Sequence, residues 1–425
     1  AVLRWTRRVS PGLPRVAYHV NWLYDQNMKK LGLLATLYVS QGLPYGFFTQ
    51  ALPVLMRKEG WSLGAIGLSS LLALPWALKF LWAPLVDRLY WPGFGRRRSW
   101  IVPLQALTAL VLLGLAVLTP SSVIGVLLGA VLVVNLLAAT QDVATDGLAV
   151  ELLPPEARGL ANGVQVAGYR LGMIVGGGAL LMVYDDIGWR GVFGVMGALI
   201  VALTVPVLFM REPAPVRSGL SATTPETGAP LPPHFLRRRG VGAVLLLTVV
   251  WKLGESFGTG MLRPYLADLG LSLGGVGALL GTVGFVAGLV GALIGGALVG
   301  PLGRRRALVG FGVLQAGAVL LYALLAQGTL PAEALPAVVA AEHVASGMAT
   351  AALFTCMMDW CDPRSAGTDY TVQASAVVIA QGGAAALSGY SAELLGYAGH
   401  FLLASGLAAL AVLPAVWRFP QRPQA

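Results

Sequence analysis

The chain has 425 residues, of which 56% are hydrophobic and only 11% charged. A water-soluble globular chain carries roughly a quarter charged residues, so this one cannot cover a hydrated surface, and most of its surface must face lipid. The formal charge of +10 sits in short arginine clusters between apolar stretches, which excludes the nucleic-acid reading that such a charge suggests in a soluble protein and makes the clusters topology signals.

Residues Ala1 to Asn27 hold Arg4, Arg7, Arg8 and Arg15 but no apolar run long enough for a signal peptide, while Met28-Lys29-Lys30 has the form of a protein start. Residues 1–27 therefore read as a disordered N-terminal extension. A span needs about 20 mostly apolar residues. Six candidates lie near Leu31 to Met56, Gly64 to Leu85, Trp100 to Leu118, Ser122 to Val150, Ala157 to Val183 and Gly191 to Met210. Six more lie near Val241 to Tyr265, Gly274 to Val299, Ala307 to Ala326, Ala332 to Met358, Tyr370 to Tyr390 and Ala398 to Trp417.

Basic residues alternate by loop. Arg88, Arg96, Arg97 and Arg98 follow the second span, Arg211, Arg217, Arg237, Arg238 and Arg239 occupy the centre, and Arg304, Arg305 and Arg306 follow the eighth; the turn at Thr119-Pro120-Ser121 has none. This bias puts both termini in the cytoplasm. The stretch from Glu212 to Pro233 is rich in Pro, Ser, Thr and Gly and reads as a flexible linker. The expected organisation is a six-helix bundle over 28–211, a cytoplasmic linker over 212–240, a second six-helix bundle over 241–418 and a tail over 419–425.

The halves repeat each other. Pro53, Ser62-Leu63-Gly64 and Gly67 match Pro264, Ser272-Leu273-Gly274 and Gly277, and Gly95-Arg96-Arg97-Arg98 matches Gly303-Arg304-Arg305-Arg306 at nearly the same offset. Duplicated six-span halves are the mark of a transporter whose substrate site lies between them near the midplane. The fold class is thus an all-α membrane protein of twelve helices in two pseudo-symmetric bundles.

Ala83-Pro84-Leu85-Val86-Asp87-Arg88, followed by Gly95-Arg96-Arg97-Arg98, resembles the loop between spans two and three of the major facilitator superfamily, although the usual opening glycine is replaced and Tyr90-Trp91-Pro92-Gly93-Phe94 lengthens the loop. The resemblance implies a cytoplasmic latch between the halves, with Asp87 as its acid and Arg88, Arg96, Arg97 and Arg98 as its basic part. Thr140-Gln141-Asp142-Val143-Ala144-Thr145-Asp146-Gly147, with Lys79-Phe80-Leu81-Trp82-Ala83-Pro84 upstream, is similar to the branch holding muropeptide permeases, acetyl-coenzyme A transporters and the rhizobactin and pyochelin siderophore importers. Within that branch, Gly367-Thr368-Asp369-Tyr370-Thr371-Val372-Gln373 is most similar to the siderophore importers.

Ionisable residues inside a span are costly and by default face a cavity or a partner. Arg170, Lys252 and Glu342 fall near mid-depth in spans five, seven and ten, and Glu255 shares a helical face with Lys252. One reading is an internal Lys252 to Glu255 salt bridge that lets the helix insert. The other is a cavity in which Arg170 and Lys252 hold an anionic group while Glu255 or Glu342 takes a proton. Gln41, Tyr45, Gln165, Tyr169 and Gln381 orient a polar ligand or join helices, and His343 beside Glu342 reads as a packed residue. Asp142 and Asp146, one turn apart, are expected in a cytoplasmic gate with Lys79 and Arg158 as partners. Gly42 and Pro44 predict a kink in the first span. Gly168, Gly172 and Gly176, and in span eight Gly284 with Gly288 and Gly291 with Gly295, form small-residue faces. The resemblance implies that spans five and eight meet across the halves, so these faces are either the sliding surface between them or ordinary packing.

The two cysteines, Cys356 and Cys361, form no CxxC pair and have no histidine ligand pattern nearby, so no metal is expected. No P-loop, HExxH or nucleophile elbow occurs, which argues against ATP, a cofactor and enzymatic activity. The expectation is a monomeric, proton-coupled secondary transporter in the bacterial inner membrane, with lipid, protons and a small-molecule substrate as its partners and no nucleic acid. It imports a ferric siderophore or, alternatively, a muropeptide; a drug or metabolite exporter, a channel and a membrane-embedded transferase rank below these.

Overall fold

Apolar runs of span length become helices because a bilayer offers no hydrogen-bond partner to an open backbone. The computed structural model describes residues 15–53, 56, 70–118, 124–212, 233–417 and 419, and these form helices and turns without a β-strand. Among them nine helical segments are long and apolar enough to cross a membrane, the last being Pro363–Trp417. That segment is two helices in succession, because Gly396 breaks it with a φ of +66°.

In the first half, helix α1 (Arg15–Gly46) runs into a π-helical turn, Phe47–Ala51. It starts well before Leu31, at Arg15. Near the expected kink the helix runs through Gly42 with Pro44 inside it and gives way to the π turn directly after Gly46. The second span is a chain of short pieces, a 3-10 turn at Ser70–Ala73, α2 (Leu74–Leu78), a 3-10 turn at Lys79–Leu81 and α3 (Ala83–Arg88). Pro75 and Pro84 open α2 and α3, where a missing N–H costs nothing. Helices α4 (Arg98–Val117), α5 (Ile124–Leu152), α6 (Arg158–Met173) and α7 (Tyr184–Phe209) complete this half.

The second half begins with α8 (Val241–Trp251), α9 (Leu253–Gly260) and α10 (Leu262–Asp268), separated by breaks at Lys252 and Met261. Helices α11 (Phe285–Leu302), α12 (Arg304–Ala326), α13 (Leu335–Trp360) and α14 (Ala366–Leu410) follow. The repeat has a structural counterpart. Gly95 and Gly303 both adopt the left-handed conformation, φ +108° and +80°, and turn the chain into α4 and α12. The repeat block at Ser62 to Gly67, the turn at Thr119 to Ser121, linker residues 213–232 and most of the tail lie outside the described residues.

Three apolar cores show where the halves join. One draws on both halves, with Leu34, Ala149 and Leu153 packed among Val299, Leu308 and Met357, and it lies at the end that carries the arginine clusters. At the opposite end each half keeps its own core, around Phe47, Leu112 and Phe193 in the first and around Leu266, Tyr322 and Phe401 in the second. Among the described residues the two bundles therefore share an apolar core at the arginine end and keep separate cores at the other.

The glycine faces divide differently from expectation. A Cβ at Gly172 would strike the backbone of α1 and one at Gly168 would press on it at 3.3 Å, while one at Gly291 or Gly295 would strike the backbone of α13, so these glycines seat helices within a half. The approach between halves uses Gly159 and Gly163 of α6, where a Cβ would lie 2.7 Å from the carbonyl oxygens of Gly296 and Ala292 of α11. Of the expected faces only Gly288 reaches across, against the guanidinium of Arg170.

Candidate functional site

At the arginine end the expected latch residues come together. Gly95 reverses the chain so that Arg96 and Arg97 turn back onto α3 and the end of α5. Asp87 is 2% exposed and its Oδ1 accepts from Arg97 at 2.8 Å and Arg96 at 3.3 Å, while its Oδ2 accepts from the backbone amide and hydroxyl of Thr368 at 2.7 and 2.6 Å. Burial alone would raise the Asp87 pKa, but the Arg97 and Arg96 guanidiniums and the bonds from Thr368 outweigh it and hold the carboxyl below its usual range. Arg97 is fully buried, and its second partner is Glu151 at 2.5 Å. Arg96 also reaches Glu151 at 3.1 Å and donates to the Arg364 carbonyl at 2.8 Å. Arg98 holds the end of α7 through the Leu208 carbonyl at 2.8 Å and stacks on Phe94 at 4.7 Å, and Arg88 closes α3, half-buried.

Two glycines make room for this cluster. A Cβ at Gly147 would run into the Arg97 guanidinium, and one at Gly367 would lie 2.9 Å from Asp87 Oδ1 and 3.1 Å from Arg97.

A second tie sits nearby. Asp359, at the end of α13, takes Arg158 of the first half at 2.8 Å and Arg304 of its own half at 2.7 Å. Arg158 thus serves Asp359 and is not the partner of Asp142 or Asp146 that was expected. Glu151 and Asp359 complete the latch and were not singled out in the sequence, while Thr368 and Arg304, which join them, appear there only within a motif and a basic cluster. The signal for the acids was there: Glu151 stands to Arg96 at the same sequence separation as Asp359 to Arg304, within the repeat already marked by Gly95 and Gly303.

Lys79, Asp142 and Asp146 form a separate buried network within the first half. The Lys79 ammonium bonds Asp142, and Asp146 accepts from the Tyr38 hydroxyl at 3.0 Å and from Gln165 at 3.2 Å. Tyr370 of the second half lies beside Asp146 and Gln165, so the network borders the other half. The Gly367 to Gln373 stretch is likewise spent on structure: Thr368 on Asp87, Asp369 on Arg238 at 2.5 Å, and Gln373 on the Met357 and Asp369 carbonyls.

Deeper in the spans, the first half presents aromatic rings and the second half charges. Tyr45 lies 5.5 Å from both Trp76 and Tyr169, and Trp76 lies 6.1 Å from Tyr169. Opposite, Lys252 sits at the break between α8 and α9, its ammonium on the Glu255 carboxylate and 2.9 Å from the Thr350 hydroxyl. Glu255 also accepts from Ser346, and the buried Glu342 holds His343 at 2.9 Å. Lys252 and Glu255 therefore neutralise each other as in the salt-bridge reading.

Arg170 differs. Its guanidinium stands 5.7 Å from the Phe285 ring, against Gly288, and among the described residues it has no carboxylate within 4 Å. A guanidinium inside a candidate span with no carboxylate beside it among the described residues is suited to an anion brought from outside. Gln41 is buried and donates to Thr145 at 3.1 Å, leaving its side-chain oxygen unpaired. Gln381 stays half-exposed on α14. Among the described residues no group of three or more His, Cys, Asp or Glu side chains is arranged to hold a metal.

Comparison with known proteins agrees with this geometry. Residues 34–370 match the family model described as Major Facilitator Superfamily. The anhydromuropeptide permease of Escherichia coli K12 is 31% identical over 372 residues, covering 87% of this chain and 76% of that protein. The putative transporter AmpG 4 of Rickettsia conorii is 25% identical over 388 residues, covering 89% and 93%. Among solved structures, that of the Escherichia coli fucose:proton symporter FucP superposes with a TM-score of 0.69 at 13% identity, covering 94% of this chain and all of that one.

Proposed function

The chain belongs to the Major Facilitator Superfamily, and from that membership we propose that it imports an anhydromuropeptide across the bacterial inner membrane by alternating access, coupled to protons. The likeness to the Escherichia coli anhydromuropeptide permease over 87% of the chain carries this reading. It supports the muropeptide in preference to the ferric siderophore, whose motif is occupied by latch contacts. In this reading twelve spans form two six-helix bundles, residues 28–211 and 241–418, with both termini and the 212–240 linker cytoplasmic, and the protein works as a monomer. Asp87, Arg96 and Arg97 with Thr368, and Arg158 with Asp359, close the cytoplasmic side, leaving the cavity open to the other face.

An anhydromuropeptide carries amino-sugar rings and an acidic peptide, and both find complements at mid-depth. Arg170 takes an acidic group of the substrate. Glu255 and Glu342 are the proton acceptors, since a carboxylate whose cationic neighbour turns to the substrate loses its support in the charged form. Lys252, Gln41, Tyr45 and Gln381 position the remainder.

The test is uptake of radiolabelled anhydromuropeptide into vesicles from a strain lacking its own permease, with ferric siderophores run in parallel. Accumulation that collapses with a protonophore is expected. Uptake of the siderophore and not of the muropeptide would overturn the assignment.

A further inference from the structure

Tyr45, Trp76 and Tyr169 come from α1, α2 and α6, three separate elements of the first half, and their rings meet at 51° to 84° with centroids 5.5 to 6.1 Å apart. Edge-to-face packing of this kind normally fills a core, yet all three side chains keep part of their surface open. Lipid does not account for it. Trp76 is tied inward by its indole N–H to Asn135 at 2.9 Å, and Tyr169 is followed directly by Arg170, whose guanidinium lies against Gly288 of the other half. The element that carries Trp76 packs against α14 of the other half, so the ring cluster borders the space between the halves. Among the described residues the Tyr45 and Tyr169 hydroxyls have no hydrogen-bond partner and are not closed off from solvent.

We infer that Tyr45, Trp76 and Tyr169 form the sugar subsite of this transporter, binding a neutral pyranose ring through its C–H face, and that Arg170 binds the acidic arm of the same molecule. The inference rests on the muropeptide reading and assigns its two chemistries to different residues. The physical basis is the ring quadrupole: the polarised C–H bonds on the apolar face of a pyranose meet the electron-rich face of an aromatic ring. Two free phenol hydroxyls at the rim meet sugar hydroxyls, which water would otherwise satisfy. In the second half the polar groups are engaged with each other through Lys252, Glu255, Thr350 and Ser346. The substrate would lie with its sugar toward the first half and its carboxylate at the boundary, bridging both bundles.

Binding to the purified full-length protein by calorimetry tests this, with two probes: a neutral disaccharide, N,N′-diacetylchitobiose, and an intact anhydromuropeptide. Tyr45→Leu should weaken both probes by about tenfold, the scale of losing one aromatic platform, whereas Tyr45→Phe keeps the ring and should lose much less. Arg170→Gln should weaken the acidic anhydromuropeptide and leave the neutral disaccharide unchanged. Equal weakening of both probes by Arg170→Gln, or no effect of Tyr45→Leu on the disaccharide, would overturn the assignment. Binding of the anhydromuropeptide but not of the disaccharide by the wild-type protein would overturn the sugar subsite alone. Binding of the disaccharide but not of the anhydromuropeptide would overturn the muropeptide reading and leave the subsite standing.

Discussion

Thr368 donates both its backbone amide and its hydroxyl to one carboxylate oxygen of Asp87, at 2.7 and 2.6 Å, although the two residues belong to different halves of the chain. The bonds exist only while the arginine end is closed. Because Asp87 is buried and charged, each is a charge-assisted bond of the stronger class.

Thr368→Val keeps the shape and removes the hydroxyl bond. A hydrogen bond to a charged group contributes about 1.5–3 kcal/mol, so the equilibrium should move about tenfold or more toward the state open at the arginine end. Accessibility of single cysteines placed at the two ends of the cavity measures the shift. An unchanged labelling pattern would remove Thr368 from the latch.

The acid limb of the latch follows from Asp87. Its carboxyl is held below the ordinary carboxylate range, so its contribution is complete above the unfolded pKa of about 3.9 and is lost only as pH falls through the lower folded value. Closure at the arginine end should therefore be the same at pH 5 and pH 8 in the wild type. Any change in transport over that interval must come from other groups. Distance measurements between spin labels on α3 and α14 at the two pH values check this; a pH-dependent opening abolished by Asp87→Asn would contradict it.

Gly147→Ala puts a methyl group into the Arg97 guanidinium, a fully buried side chain held by Asp87 and Glu151. Overpacking costs about 1–3 kcal/mol. All of these residues belong to the first half, so the strain falls on open and closed states alike and the melting temperature should drop. Gly367→Ala instead presses across the halves, its Cβ lying 2.9 Å from Asp87 Oδ1, and should slow transport by straining the closed state.

Glycines of α6 should separate by function. Gly163→Ala presses on the Ala292 carbonyl of α11 at 2.7 Å and should disfavour closure of the halves with little loss of thermal stability. Gly172→Ala presses on the α1 backbone within one half and should lower the melting temperature without shifting the conformational balance. Thermal unfolding paired with cysteine labelling distinguishes the two; equal melting temperatures would refute the division.

Coupling can be located by Glu255→Gln and Glu342→Gln. Loss of accumulation with retained counterflow identifies the proton acceptor. Glu255→Gln also leaves the Lys252 ammonium with only Thr350 among its two observed partners, and an uncompensated buried charge costs about 3–5 kcal/mol. If that variant loses counterflow and folding together, the pair is a structural salt bridge and Glu342 carries the proton.

Membrane character and the superfamily were readable from the chain. Each rests on composition or on repeats such as Gly95 and Gly303, and a lipid solvent leaves these patterns little freedom. The tertiary structure decided which faces meet. Apolar periodicity marks an inward face in a soluble helix, but lipid and protein interior are equally apolar, so the pattern of α6 does not tell that Gly172 meets α1 while Gly163 meets α11. The same holds for partners. Nothing local links Asp87 to Thr368, or separates Lys252, which is neutralised by Glu255, from Arg170, which has no carboxylate within 4 Å among the described residues. Those assignments depend on how two bundles dock, and docking joins residues whose chain positions carry no record of each other.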